Sequence, residues 1–440
     1  MRDTICALAT PLQKGAIAIV RISGEDAFNV AEKLTHIPQE KMEANTIKYA
    51  HLYKDGEQVD EILISFFKAP KSYTGEDVVE INCHGGIYLS RQALSLCLEN
   101  GCRIAEAGEF TRRAYLNGRI DLSEAEAVEG MVDSYNKLQA KSSLRALNGS
   151  LSRLLEPLLT EMSECLSKIE LNIDYPEYQD EEQMDYQKIA EYVNKWLEKI
   201  DKLLNQAQRF ARVKDGLATA IVGKPNVGKS SLLNALLDED RAIVTDIAGT
   251  TRDLIEEQVH LKNISLRLID TAGIRESEDK VEKIGIERSI KAIEDADLIL
   301  LVIDASHEMD EEDKQLLSLT ENKNRLLVFN KCDVDDLYLD QGIHISAKEK
   351  DVSNLINYLE ESYEADASLA DSDVLVNERQ ISLLKKAQTY LKDFINKKDL
   401  PLDILAADIL AAYEEICAIL GKEYREEMID YLFKHFCVGK

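Results

Sequence analysis

The sequence predicts a multidomain fold that joins α/β and all-α parts, and three observations carry this reading. Residues 1–120 mix strand-like and helical runs punctuated by Gly24, Gly75, Gly85 and Gly86. Residues 121–215 and 373–440 carry apolar side chains at helical spacing, and residues 216–372 alternate strand and helix. The simplest arrangement is a small α+β N-terminal domain (1–120), a helical domain in two parts (121–215 and 373–440), and a doubly wound α/β domain (216–372) inserted within it.

The elements follow in order. Ala16–Ile22, Glu61–Phe67 and Asp77–Asn82 read as strands, and Ala27–Leu34 and Leu89–Glu99 as helices. From Leu151, apolar residues recur at Leu154, Leu155, Leu158, Leu159, Met162, Cys165, Leu166 and Ile169, one stripe of a helix with Pro157 inside it. That stretch closes at Asp174-Tyr175-Pro176, and a second helix runs through Tyr186–Phe210. Leu217–Val222, Leu266–Asp270, Leu298–Asp304, Arg325–Asn330 and Ile343–Ile345 are the strands of the inserted domain, and polar residues 361–372 read as a linker.

The chain has 440 residues, 45% hydrophobic and 30% charged, which excludes a disordered or fibrous chain. No run approaches the roughly 18 apolar residues of a membrane span, and the N-terminus lacks a signal-peptide pattern, so a cytoplasmic location is expected. Eight cysteines (Cys6, Cys83, Cys97, Cys102, Cys165, Cys332, Cys417 and Cys437) form no CxxC pair, which argues against a disulfide framework or structural zinc site. Cys83-His84 is read as a packing or turn element rather than a metal pair.

The net charge of −28 argues against a broad phosphate-binding surface. It is unevenly spread: residues 216–372 hold 17 basic against 34 acidic residues, whereas residues 1–120 hold 14 against 16 and residues 373–440 hold 10 against 12. The near-neutral ends leave room for a nucleic-acid partner.

The strongest local signal is Gly223-Lys224-Pro225-Asn226-Val227-Gly228-Lys229-Ser230, placed between an apolar strand and a helical run that begins at Ser231. This is the context a phosphate-binding loop needs: backbone N–H groups close on phosphate oxygens, Lys229 reaches the β- and γ-phosphates, and Ser230 ligates magnesium. Asp270-Thr271-Ala272-Gly273 ends a later strand; Asp270 is suited to hold magnesium through water and the Gly273 N–H to meet the γ-phosphate. Asn330-Lys331-Cys332-Asp333 resembles the NKxD signature, whose Asp accepts from guanine N–H groups and disfavours ATP. Ser346-Ala347-Lys348 resembles the last guanine-contacting loop. Gly249-Thr250-Thr251-Arg252-Asp253 occupies the switch I position, with Thr251 the expected second magnesium ligand and Thr245, Asp246, Ile247, Ala248, Gly249 and Thr250 expected GTP contacts. In this order the motifs predict a Ras-like P-loop GTPase domain binding GTP and Mg2+.

Ile274 stands where Ras-type proteins carry a water-orienting Gln. With Asn226 in the loop, the site resembles potassium-activated GTPases, in which a monovalent cation takes the place of an arginine finger. That resemblance implies potassium ligation by the Asn226 side chain and the main-chain carbonyls of Thr245, Ile247 and Thr250. Arg252 and Arg275 are read as solvated or paired switch residues.

Outside the GTPase motifs, Asp3–Gly24, Ser72–Gly86 (SYTGEDVVEINCHGG), Gly108–Val128 (GEFTRRAYLNGRIDLSEAEAV), Ile173–Glu177 and Phe436–Lys440 (FCVGK) together resemble the MnmE (TrmE) family of tRNA modification GTPases along essentially the whole chain. The resemblance implies a homodimer formed through N-terminal domains that bind a 5-formyltetrahydrofolate-type donor. It also implies an FAD-containing partner, MnmG, that uses NADH, and addition of aminomethyl-type groups, including carboxymethylaminomethyl, to carbon 5 of the wobble uridine of certain tRNAs. Matching positions place folate contacts at Arg21, Glu80 and Arg119 with Lys440 nearby, a water-orienting role at Glu282, and a part in the modification chemistry at Cys437. Taken alone, Arg21 and Glu80 read as a strand-edge ion pair. Three positions depart from the family pattern: Val438 replaces the commoner Ile, Arg119 the commoner Lys, and Arg112 the frequent Glu. Arg112, Arg113 and Arg119 then make Phe110–Arg119 locally basic. Two other readings remain at this point: a ribosome-assembly GTPase without folate chemistry, and a metabolic folate enzyme with a regulatory GTPase domain.

Overall fold

The computed structural model describes residues 3–134, 136–174, 184–237, 257–262, 264–269, 291–338, 341–398 and 400–422. The chain divides into two compact units, Met1–Val132 with Ala146–Leu159 and Tyr413–Lys440, and Asp133–Arg145 with Thr160–Ala412.

The first unit is built on a six-stranded sheet of order β3-β4-β5-β2-β1-β6. Its strands are β1 (Ile5–Leu8), β2 (Ile17–Ser23), β3 (Thr46–Lys54), β4 (Glu57–Phe67), β5 (Val78–His84) and β6 (Arg103–Ile104). Alternation decides the faces: on β4, Ile62, Ile64 and Phe66 are buried while Glu61 and Leu63 are exposed. Helices Ala27–Thr35 and Ile87–Glu99 cover the apolar face, setting Phe28, Leu34, Ala93 and Leu96 among Val20, Ile22, Ile64, Phe66, Val79 and Ile81. The opposite face is covered over β1, where Ile5 and Ala7 pack with Phe110, and elsewhere presents exposed Ile17, Ile47, Tyr49 and Leu63. Sequence periodicity missed β1 and β3. The first is only four residues long, and the second mixes exposed and half-buried positions.

The second unit carries the doubly wound sheet, of order β12-β11-β10-β7-β9-β8. Strands β7 (Leu217–Val222), β10 (Leu298–Asp304) and β11 (Arg325–Asn330) have the expected bounds, β9 spans Ser265–Leu268 and β12 spans Ile343–His344. These five pair in parallel, and β8 (Glu257–His260), which the pattern did not suggest, adds an antiparallel edge. Leu298 to Ile303 are all buried, the near-continuous apolar run of a strand covered on both faces. Helix Tyr186–Lys214 buries Ile189, Val193, Trp196, Ile200, Leu204, Ala207, Phe210 and Val213 along one stripe.

Helix Ser150–Asp174 contains Pro157, as its apolar stripe implied. One expectation is corrected. The stretch read as a polar linker is folded instead: helix Ser353–Ala367 runs into a short 3-10 turn, Ser368–Asp371. Ala367 and Ala370 are buried there, and Lys141–Asp371, Arg145–Asp373 and Arg209–Asp366 pair across the segment. Its acidic residues face cations supplied by distant helices, a pairing that local polarity does not reveal. Among the described residues no helix is long and apolar enough to cross a membrane.

Candidate functional site

The phosphate loop leaves β7 at Val222 and enters helix Lys229–Leu237. Gly228 has φ of +100°, and a Cβ there would lie 2.2 Å from Asn330 Nδ2. A Cβ at Gly223 would lie 2.5 Å from the Val302 carbonyl oxygen. Both positions therefore require glycine, one for its conformation and one for close approach. Asn226 takes a left-handed conformation, φ 63°, at the exposed turn of the loop. Lys229 Nζ donates to the carbonyls of Gly223 (2.8 Å) and Lys224 (2.6 Å), inside the cradle where a phosphate sits. Burial pushes its ammonium pKa down, so an anion here would meet a poorly hydrated cation. Ser230 is half-buried and Ser231 exposed on the first helical turn.

The guanine-reading loops join this cradle through one side chain. Asn330 Nδ2 donates to the Val227 carbonyl (2.8 Å), while Asn330 Oδ1 accepts from the Ala347 N–H (2.9 Å). Asn330 is buried, so both halves of its amide are spent on loop geometry. Asp333 is exposed and accepts from Ser346 Oγ at 2.6 Å, a bond that holds its carboxyl below the usual range. Lys331 pairs with Asp304 at 2.6 Å. Burial works to raise the Asp304 carboxyl, but Lys331 and Ser306 outweigh it and bring it to about 2. Lys348 is exposed beside this pair of loops.

Sequence reasoning missed a brace on the phosphate loop. Lys224 Nζ lies 2.6 Å from Asp310 and 2.7 Å from Asp313, the two carboxylates that cap helix Glu311–Leu319. The Asp-x-x-Asp cap was readable, but its partnership with a loop 86 residues away was not.

Thr245, Asp246, Ile247, Ala248, Gly249, Thr250, Thr251, Asp270, Thr271, Ala272, Gly273, Glu282, Cys437 and Lys440 lie outside the described residues, as do Arg252, Ile274 and Arg275.

The first unit gathers a second charged cluster. Arg21 and Glu80 are cross-strand partners on β2 and β5, with Nε to Oε1 at 2.9 Å and both side chains 20% exposed. The Arg21 guanidinium lies 5.3 Å from the Tyr73 ring centre and 5.6 Å from that of Phe110. Arg119 lies 5.3 Å from the same Tyr73 ring and donates to the Tyr73 carbonyl at 2.9 Å. Two of the expected folate contacts, Arg21 and Arg119, thus meet over one aromatic ring and Glu80 joins them through Arg21, a carboxylate and two guanidinia being suited to a polar heterocycle with an acidic tail.

In the locally basic stretch Phe110–Arg119 the three cations differ in exposure, with Arg112 half-buried. Arg113 is buried and bonded to Glu109 (2.9 Å), Glu76 (3.1 Å) and Asp3 (2.9 Å), so its charge is neutralised and Arg119 is the exposed cation. Cys83 is buried with its thiol pushed up to about 11, by burial first and then by Asp60. His84 Nδ1 bonds Asp60 at 2.6 Å, which agrees with a packing role for the Cys-His pair.

A glycine-cradled lysine, an amide-braced guanine loop and a parallel doubly wound sheet define a P-loop GTPase. Residues 4–119 match the family description "GTP-binding protein TrmE N-terminus" and residues 122–437 match "MnmE helical domain". The chain is 45% identical over 455 residues to the tRNA modification GTPase MnmE of Ligilactobacillus salivarius, covering all of this chain and 98% of that one. It is 43% identical over 452 residues to that of Streptococcus gordonii, covering all of this chain and 99% of that one. Among solved structures, it is similar to Era bound to MgGDPNP and a 16S ribosomal RNA segment, with 24% identity, 39% of this chain, 65% of that chain and a TM-score of 0.26. At that score the likeness has no bearing on the assignment. The chain belongs to the MnmE (TrmE) family of tRNA modification GTPases. It is accordingly a GTP-binding enzyme that hydrolyses GTP.

Proposed function

We propose that this chain couples potassium-assisted GTP hydrolysis to modification of carbon 5 of the wobble uridine in certain tRNAs. It acts as a homodimer with the FAD-containing, NADH-using partner MnmG, and takes the added carbon from a 5-formyltetrahydrofolate-type donor. The product carries an aminomethyl or carboxymethylaminomethyl group. One observation carries this reading: a chain related along its whole length to tRNA modification GTPases joins a guanine-nucleotide cradle to a separate Arg21–Glu80–Arg119 cluster around Tyr73.

In this reading Ser230 and Thr251 hold magnesium, and Asn226 holds potassium with the main-chain carbonyls of Thr245, Ile247 and Thr250. The left-handed, exposed Asn226 sits at the turn where such a cation would lie, and the ion supplies positive charge where phosphate charge develops. The remaining nucleotide contacts are those of the loops Asn226–Ser231, Thr245–Thr251, Asp270–Gly273 and Ser346–Lys348 and of Asn330, Lys331 and Asp333, with Glu282 orienting water. Glu80 pairs with the N–H edge of a pterin, Arg21 holds that carboxylate in position, and Arg119 with Lys440 meets the acidic tail. Cys437 takes part in the modification chemistry. The exposed part of the sheet face, bearing Ile17, Ile47, Tyr49 and Leu63, supports dimerisation through the N-terminal unit.

Two measurements test this. GTP turnover at fixed ionic strength should be much faster in potassium than in sodium, and equal rates would reject potassium assistance. Nucleoside analysis of tRNA from a deletion strain should show unmodified wobble uridines, and an unchanged profile would reject the tRNA role and favour a ribosome-assembly GTPase.

A further inference from the structure

Beside the guanine loop, three side chains of different chemistry converge at a place the GTPase reading does not use. The Cys332 thiol, the Asp336 carboxylate and the His344 imidazole offer ligand atoms that all lie within 4.8 Å of one another. Cys332 Sγ is 3.7 Å from His344 Nδ1, and Asp336 Oδ2 is 2.7 Å from the same nitrogen. Tetrahedral zinc, with ligands at roughly 2.0–2.3 Å, needs its donor atoms roughly 3.3–3.8 Å apart. Small side-chain shifts bring all three onto one ion.

Each ligand is held by its surroundings. The His344 ring stacks on buried Phe329, with centroids 5.4 Å apart and planes at 18°. Phe329 in turn stacks on Tyr338 at 4.8 Å, and the Tyr338 hydroxyl is fixed by the Met309 N–H at 2.7 Å. The Tyr338 N–H bonds Asp336 Oδ1 at 3.1 Å, which leaves Oδ2 toward the imidazole. The Cys332 N–H bonds the Ile345 carbonyl at 3.3 Å, tying the thiol's backbone to the end of β12. Asp336 and His344 keep 16% and 22% of their side-chain surface, so water can reach the cluster and supply a fourth ligand.

The donor set decides the ion. One thiolate, one imidazole and one carboxylate suit zinc, whereas magnesium and calcium prefer all-oxygen sites. We propose that Cys332, Asp336 and His344 form a zinc-class site, distinct from the magnesium position at the phosphates. Bound metal would clamp the loop after β11 to β12. Because Cys332 stands between Lys331 and Asp333, the clamp acts on the guanine-reading loop itself.

The probe is Co2+, followed by Zn2+ competition, on the full chain with Mg·GDP present. Bound cobalt should give a thiolate-to-metal charge-transfer band and the visible bands of tetrahedral coordination, both displaced by one equivalent of Zn2+. Cys332→Ser should abolish the charge-transfer band. His344→Gln and Asp336→Asn should each weaken Zn2+ binding by more than about tenfold, since even loss of an outer partner costs roughly 10- to 100-fold. A charge-transfer band that survives in Cys332→Ser, or Zn2+ affinity unchanged in both other variants, would overturn the assignment. Urea midpoints measured on every variant without Zn2+ or Co2+ separate loss of the metal site from loss of the fold.

Discussion

In the phosphate loop the cation Lys229 is held by carbonyls of its own loop, Gly223 and Lys224. In the N-terminal unit Arg21 is held by Glu80 of the neighbouring strand, and Arg113 by Asp3, Glu76 and, one turn back on its own helix, Glu109. The first arrangement is a contiguous backbone shape into which an anion can step. The second is a set of side chains drawn from residues 3 to 113 whose charges are already compensated by one another. The contrast is between a site set by local backbone shape and one set by the packing of side chains far apart in the sequence.

The largest test of the contrast is Lys229→Ala. GTP turnover should fall by at least about 100-fold, as for loss of one preorganised charge donor at a transition state, while urea unfolding of the N-terminal unit stays unchanged. Arg113→Met should do the reverse. It leaves Glu76 and Glu109 without their shared cation, with 10% and 9% of their side-chain surfaces exposed, and should destabilise the N-terminal unit by about 3–5 kcal/mol with little effect on GTP turnover. Acid acts on the same network. Hydrogen bonding from Arg103 is the chief cause holding the Asp3 carboxyl low, and the pull of Arg103 and Arg113 lowers Glu109 against its burial. Both carboxyls sit below their unfolded values, so their stabilisation is present above those values and is lost as pH falls through the folded ones. Urea midpoints for the unit should therefore drop on acidification, and less so in Arg113→Met.

Asp333→Asn comes next. It removes the acceptor for guanine N–H groups, and GTP affinity should fall roughly 10- to 100-fold, with a relative gain for xanthosine triphosphate measured by competition. Lys224→Met is the smallest. Its pairs with Asp310 and Asp313 brace the loop from a partly exposed position, so KM for GTP should rise only roughly 2- to 5-fold, with kcat nearly constant and Lys224→Arg restoring it.

How much could be read from the sequence follows the same division. The strands around the phosphate loop were legible to within a residue or two because fully buried parallel strands make unbroken apolar runs, as Leu298–Ile303 does. The loop itself was legible because its chemistry is contiguous. The role of Asn330 was hidden: its motif identifies a guanine loop but does not show that its amide joins Val227 to Ala347. Arg21 and Glu80 taken alone read as an ion pair, which the antiparallel register of β2 and β5 forms at 2.9 Å, whereas a folate role for them came only from resemblance. The segment after Glu361 was misread as a linker because its carboxylates find lysine and arginine partners on helices more than 150 residues earlier.

The account's central claim is that two chemically separate sites in one chain serve one reaction. The direct measurement is the yield of modified wobble uridine in a reconstituted mixture of this protein, the FAD partner, unmodified tRNA, GTP, potassium and a folate donor, read beside GTP turnover. Glu80→Gln should keep GTP turnover and lose the modified nucleoside, whereas Lys229→Ala should lose both. Full modification by either variant would contradict the account.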